Sequence, residues 1–372
     1  MPDMTKEERV LCALGREEPD RVPLYDLVDN TAVIAHYAGR ELALGNAAEV
    51  IPLALSRMLD TTRVWLPAAP GRRRDQRGFT HERVDWWNEW QVGKPFDDME
   101  SLLAFVKRDI ERAESYNLAG ARDHLEDRLA DRLQWKKRYL GTVIPASSAG
   151  EALTAAYIDV GLDWFVLLDA EEPALARRWV DALHGVTMRH LQDEGDVRQV
   201  SPVAWVFADM AFKERLMFSP AYLHEHGVFR RLSDICELYH GKGLKVIFHS
   251  DGYIRPVVPN LIAAGVDALA PIETSAGLDL ADLKREFGHL VAFVGGIDMP
   301  EVLRYGSVDD VRRVTLRAMA AAGPGGGLIV GSSSEELYDS LPAQNVIAMV
   351  ETTRECGRYP IGKYFPKGFD WQ

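Results

Sequence analysis

Eight short apolar runs, each followed by small or polar residues and then by a helical pattern, limit the fold of this chain more than any other feature. They are RVPLYDLVDN from Arg21, TTRVWLPA from Thr61, GTVIPASSAG from Gly141, VAWVFADM from Val203, LKVIFHSDG from Leu244, VDALAPIET from Val266, LVAFVGGID from Leu290 and GGLIVGSSSEE from Gly326. Their interiors are continuously apolar rather than alternating, as parallel strands covered on both faces require. The stretch after Phe218 predicts one helix, with Ser219 as N-cap, Pro220 in the first helical position and a stop at Gly241 or Gly243. A second helix begins at Ser307, with Asp310 completing a capping-box variant, and ends at Gly323. Strand then helix, eight times over, predicts an α/β fold: a (β/α)8 TIM barrel with an N-terminal helical extension and a long insertion after the second strand. A doubly wound open sheet is the alternative, but no GxGxxG follows the first strand. The glycines at Gly323 to Gly327 precede a strand and read as a turn, not a phosphate cradle.

At 372 residues, 47% hydrophobic and 27% charged, the chain has the make-up of an ordinary enzyme, read here as a single barrel domain over 1–372. Its net charge of −13 argues against nucleic acid or an anionic membrane as partner, while leaving room for a local basic pocket. Cys12, Cys236 and Cys356 are far apart with no CxxC, so neither a disulfide framework nor an all-cysteine zinc site is expected. The polar opening MPDMTKEERV lacks a signal peptide's apolar stretch, and no run approaches the ~20 apolar residues of a membrane span, which predicts a cytoplasmic protein.

The insertion runs from about 68 to 138 and holds the basic GRRRDQR and the aromatic VDWWNEW, with Trp86, Trp87 and Trp90. An insertion of this size at a barrel mouth is a lid or substrate wall, or a hairpin whose tryptophans pack on the barrel, and the two roles are compatible.

In a barrel the chemistry sits where the strands end. In order, the strand ends bring Asp26 and Asp29, then Pro67, then Ser147, Ser148 and Glu151, then Asp209, His249 with Asp251, Glu273, Asp298, and Ser332 to Glu335. One acid means little in so acidic a chain. Asp209, His249, Glu273 and Asp298 on four consecutive strands mean more, because adjacent strand ends lie about 5 Å apart. Such a ring can hold a divalent cation through one nitrogen and several oxygens, or act as a metal-free acid–base set. The bland alternative is that these side chains cap helices and pair with arginines.

Read together, KEERVLCALGREEPDRVP, FSPAYLHEHGVFRRL, KVIFHSDGYI, GGIDMPEVLRYGSVDDVRRVTLRAM and GGLIVGSSSEELYDSLPAQNVIAMVE resemble, in order, the uroporphyrinogen decarboxylase superfamily, especially its cobalamin-dependent methyltransferase-like branch. The resemblance implies a (β/α)8 barrel and spans nearly the whole chain, most weakly over the insertion. True decarboxylases carry an arginine-rich loop after the first strand; here Asp26 and Asp29 stand there, and carboxylates would repel a polyanionic porphyrinogen. The second-strand exit VWLPA also lacks the decarboxylase acid.

In the methyltransferase branch, zinc-binding members carry His-x-Cys at the fifth strand end and a Cys after the eighth. The matching positions are His249 and Asp251, with Ser332 or Ser333. The resemblance therefore implies zinc or another divalent metal on His249, Asp251 and Glu273, with Asp209 and Asp298 as catalytic groups or further ligands. Asp26, Asp29, Trp86, Trp87, Trp90, Ser147 and Ser333 are the expected substrate contacts. The implied reaction moves a methyl group from a small methylated compound, an O-methyl one by the hardness of the oxygen-rich site, to a corrinoid on a partner protein. Two alternatives stay open. One is a lyase acting on a tetrapyrrole or other carboxylate, with Arg21, Arg72, Arg73 and Arg74 supplying the anion pocket, although Arg21 in PDRVP suits a structural ion pair. The other is a non-catalytic corrinoid- or tetrapyrrole-binding protein. The family also implies a homodimer, for which the tail RYPIGKYFPKGFDWQ offers an interface unless it lies across the barrel floor.

Overall fold

The computed structural model describes residues 3–116, 122–334 and 336–369. Glu335, residues 117–121 of the insertion and the last three residues of the tail lie outside the described residues. The strands are β1 (Leu27–Val28), β2 (Gly71–Arg74), β3 (Thr80–Arg83), β4 (Glu89–Gly93), β5 (Ser147–Gly150), β6 (Val203–Phe207), β7 (Lys245–His249), β8 (Ala268–Ile272), β9 (Ala292–Ile297), β10 (Leu328–Ser332) and β11 (Glu336–Leu337). A six-stranded parallel sheet runs β10-β9-β8-β7-β6-β5. Six of the eight apolar runs form this sheet, and regular pairing does not extend to the other two. The first two runs are held by isolated parallel bridges, Leu24 to Val330, Tyr25 to Thr61 and Thr61 to Val143. The fold is α/β and TIM-barrel-like.

Continuous apolarity along the strands has a direct structural cause. Val203, Trp205, Ile247, Ala268, Ala270, Ala292, Val294 and Ile329 point into the ring and pack with Tyr25 and Val143. Their neighbours Ala204, Val206, Val246, Phe248, Leu269, Phe293, Leu328 and Val330 face outward under the helices. Both sets are buried, so neither position tolerates a polar residue.

The capping chemistry forms as the sequence dictates. Ser307 and Asp310 make a reciprocal box on the helix Val308–Ala322, and Ser219 accepts from the Tyr222 N–H. The helix expected from Ser219 to Gly241 or Gly243 is instead two, Pro220–Glu225 and Val228–Gly241. Gly227, at φ 69°, takes the left-handed conformation that ends one helix and starts the next. The glycines after Gly323 form the expected turn into β10.

The insertion is an antiparallel sheet, β2-β3-β4, followed by the helices Met99–Glu114 and Arg122–Arg138. Its attachment rests on phenylalanines rather than on the three tryptophans alone. Phe79, Phe96 and Phe105 pack with one another and reach Trp164 and Trp179 edge-on. Arg72, Arg73 and Arg74 lie on exposed β2, where Arg73 pairs with Glu89, so they form no anion pocket.

Arg21 takes the structural role. Its guanidinium binds both oxygens of the fully buried Asp60 at 2.8 Å, and Arg9 adds a third contact at 2.7 Å. Asp60 also accepts the Leu24 N–H at 2.9 Å, tying the start of the first ring strand to the second.

Candidate metal and substrate site

The turn HSDG leaves β7 directly into the mouth. The ladder pairs Phe207 with His249, which brings Asp209, two residues beyond, level with the imidazole. His249 Nε2 lies 3.3 Å from Asp209 Oδ1 and 3.7 Å from Asp251 Oδ2. The three side chains can each present a ligand atom within 4.8 Å of the others, and among the described residues no other such group forms. The imidazole is 12% exposed and the carboxylates 42% and 48%, so the group opens to solvent on one side. One imidazole nitrogen and two carboxylate oxygens are a donor set that suits zinc and harder divalent cations.

The turn is held rigidly. Ala208 N–H donates to the His249 carbonyl, Ser250 N–H to Ala270, and Met210 N–H to Ser250 Oγ. Gly252 N–H donates to Glu273 Oε2 at 2.8 Å, and Tyr253 N–H to the Phe212 carbonyl. Gly252 has φ 82°, and a Cβ there would meet the Phe212 carbonyl oxygen at 2.5 Å. Gly252→Ala should therefore cost about 1–3 kcal/mol in urea denaturation. Gly39→Ala, at φ 73° with nothing within 4 Å, should cost only the conformational part. Equal losses would remove the steric explanation.

Several expected site residues do other work. Glu273, expected as a ligand, accepts from Gly252 and Ser275 and braces the turn that carries Asp251. Asp298 caps the following turn by accepting from the Glu301 and Val302 N–H groups, because its strand exits straight into a helical turn. Asp26 is fully buried and binds Ser332 through its N–H and its hydroxyl, locking the first ring strand to β10 rather than reaching substrate. Ser333 accepts from the Met299 N–H. Ser147 lines a cavity, but its hydroxyl donates to Glu194 at 2.6 Å and contacts Tyr239. Trp90 is 59% exposed on β4 and is not among the residues that line the two mouth cavities.

Asp29, Trp86 and Trp87 do come together, lining a cavity of about 590 Å³ with Tyr338. Asp29 is buried, and burial pushes its carboxyl up to about 8, helped by the charge and hydrogen bond of Glu336 and by Asp339. Burial also raises the Tyr338 hydroxyl, with Glu336, Asp29 and Asp251 adding to it. The folded state thus keeps a proton on Asp29 that the unfolded chain has lost above its ordinary 3.8. Stability from this group falls as pH rises from about 4 to 8. Asp29→Asn should abolish that fall, gaining on wild type by a few kcal/mol between pH 5 and pH 9 in denaturant titrations. A constant difference across that window would show that Asp29 is ionised throughout.

A second cavity, of about 540 Å³, is walled by Trp65, Trp135, Trp205 and Phe207, with Arg63 and Glu336. None of these was among the residues expected from sequence. The signal was present in VAWVF, where Trp205 and Phe207 alternate onto the inner face of a ring strand.

The geometry defines a class: a TIM-barrel-like α/β protein with an Asp–His–Asp group and two cavities at the strand-end mouth. Residues 216–356 match the family described as uroporphyrinogen decarboxylase (URO-D). Among solved structures, a methyltransferase from Methanosarcina mazei is similar with a TM-score of 0.62 at 16% identity, over 95% of this chain and 99% of that one. At that identity the likeness speaks for the fold. No curated protein matches the chain. Among the described residues no helix is long and apolar enough to cross a membrane.

Proposed function

We propose that the chain is a metal-assisted methyltransferase that takes a methyl group from a small O-methyl compound and delivers it to a corrinoid on a partner protein. The convergence of Asp209, His249 and Asp251 beside an aromatic cavity carries this reading. The superfamily match and the likeness to a methyltransferase support it. In this reading the eight runs form one closed (β/α)8 unit over 1–372, with about 68–138 as its lid.

His249, Asp209 and Asp251 would hold the divalent cation, zinc being the best fit to a mixed nitrogen and oxygen set. When bound, the cation supplies Lewis-acid polarisation of the ether oxygen, so that the methyl carbon parts from a better leaving group. Glu273 fixes the turn and so the aim of Asp251, through the Gly252 N–H. Asp29, protonated at neutral pH beside Glu336, has a proton to give at the mouth once the methyl group has left. The arginines that the decarboxylase reading calls on are engaged elsewhere, since Arg21 serves Asp60 and Arg72 to Arg74 lie on an exposed strand.

The test is to load the purified protein with zinc, add a methoxy compound and reduced cobalamin, and follow methylcobalamin by absorbance. Methylation that requires both metal and protein is expected. A protein that takes up no divalent metal, or that leaves cobalamin unmethylated with every methoxy donor, sinks the proposal.

A further inference from the structure

The cavity beside the metal group has a wall that selects its occupant. Phe207 stacks on Trp205 with centroids 5.9 Å apart and planes 16° from parallel, and its centroid lies 5.4 Å from that of the His249 ring. The aromatic wall therefore ends at a metal ligand. Trp65 and Trp135 line the same cavity from the second ring run and from the insertion helix. Its volume of about 540 Å³ suits a single small molecule.

Aromatic walls commonly receive either flat rings or methylated ammonium groups, and a ring that bears a methoxy substituent is a methyl donor of the first kind. Here the two are separable. The Arg63 guanidinium stands over the Phe207 ring at 5.2 Å and over Trp205 at 5.8 Å. The faces that would receive a quaternary ammonium already carry a cation, and a second would meet it at close range. A flat ring suffers no such repulsion and stacks readily on rings and on guanidinium planes. A second observation points to the ligand's polar group. Trp205 is fully buried, yet its indole Nε1–H has no hydrogen-bond acceptor in the protein. A buried donor in this state is satisfied by a bound acceptor or at a cost.

We infer that this cavity binds an aryl methyl ether, its ring against the Arg63 guanidinium and Trp135 and an oxygen substituent accepting from Trp205 Nε1–H. The ether oxygen then faces the Asp209–His249–Asp251 group from the end of the aromatic wall. The name of the reactive group rests on the methyltransferase reading above, whereas the choice of an aryl over an ammonium ligand rests on the cavity alone.

The experiment titrates the metal-free, full-length protein with guaiacol and, separately, with choline, by calorimetry and by quenching of tryptophan fluorescence. Saturable guaiacol binding is expected, with choline binding at least tenfold weaker. Trp205→Phe keeps the ring but removes the donor and should weaken guaiacol about 3- to 10-fold, the worth of one neutral hydrogen bond. Trp135→Ala, on the insertion and only half-buried, gives the same readout without disturbing the ring interior. A loss in either variant supports the inference. Absence of guaiacol binding, equal or better choline binding, or unchanged affinity in both variants overturns it. Because no metal or cobalamin is present, guaiacol binding without any methyl transfer would sink the functional proposal and leave this one standing. Methyl transfer from a non-aromatic donor alone would do the reverse.

Discussion

His249→Ala should bind zinc at least about 100-fold more weakly than wild type, beyond the range that loss of an outer partner costs. The imidazole is the single nitrogen donor of the group and the least exposed of its three side chains. Without it, two carboxylates on a solvent-open turn remain, a set that common surface acids also offer. The controls give the prediction its resolution. Glu273→Gln, which loosens the turn by weakening its acceptor for Gly252, should cost about 10-fold, as outer-shell changes do. Asp298→Asn should leave affinity unchanged, since that side chain caps a turn and lies outside the group. Calorimetric zinc titrations of the four proteins decide it. Equal affinities for wild type and His249→Ala would remove the metal site, and a large loss in Asp298→Asn would redraw it.

Asp60→Ala should lower the free energy of unfolding by about 3–5 kcal/mol, because it strands Arg21 and takes from Arg9 one of its two carboxylates. Asp60 is fully buried and accepts from Arg9, from Arg21 through two nitrogens, and from the Leu24 N–H. Arg9 keeps Asp20 at 2.6 Å, so the deficit falls chiefly on Arg21 and the backbone donor. The loss would be read as a lower urea midpoint. Zinc affinity of the folded variant should not change, since the network braces the start of the ring strands and the metal group stands at their other end. A loss below about 1 kcal/mol would mean that water replaces the carboxylate, as it does for exposed pairs.

The site divides cleanly into what local sequence could disclose and what it could not. His249 and Asp251 were legible because a strand that ends in HSDG must project them at the mouth. Asp209 was legible as the acid two residues past Phe207, the ladder partner of His249. Glu273 and Asp298 occupy equivalent strand ends and looked equally suitable. What separates them is the turn that follows each strand: it hands Glu273 a backbone donor from the neighbouring loop and Asp298 two from its own. Asp26 was misread for a similar reason, since its partner Ser332 is 306 residues away in sequence.

Periodicity by itself determined the alternation of strand and helix, the caps at Ser219 and Ser307, and the end of the strands at which the acids gather. These follow from contacts within a few residues and from the need to cover both faces of each strand. Only the tertiary structure decided which acids meet the imidazole, that Asp29 lies buried beside Glu336 with its carboxyl pushed up, and that Trp65, Trp135, Trp205 and Phe207 wall one cavity. Those outcomes depend on side chains from distant segments sharing a desolvated space, where burial and proximity set charge and partner, and no local pattern encodes that distance.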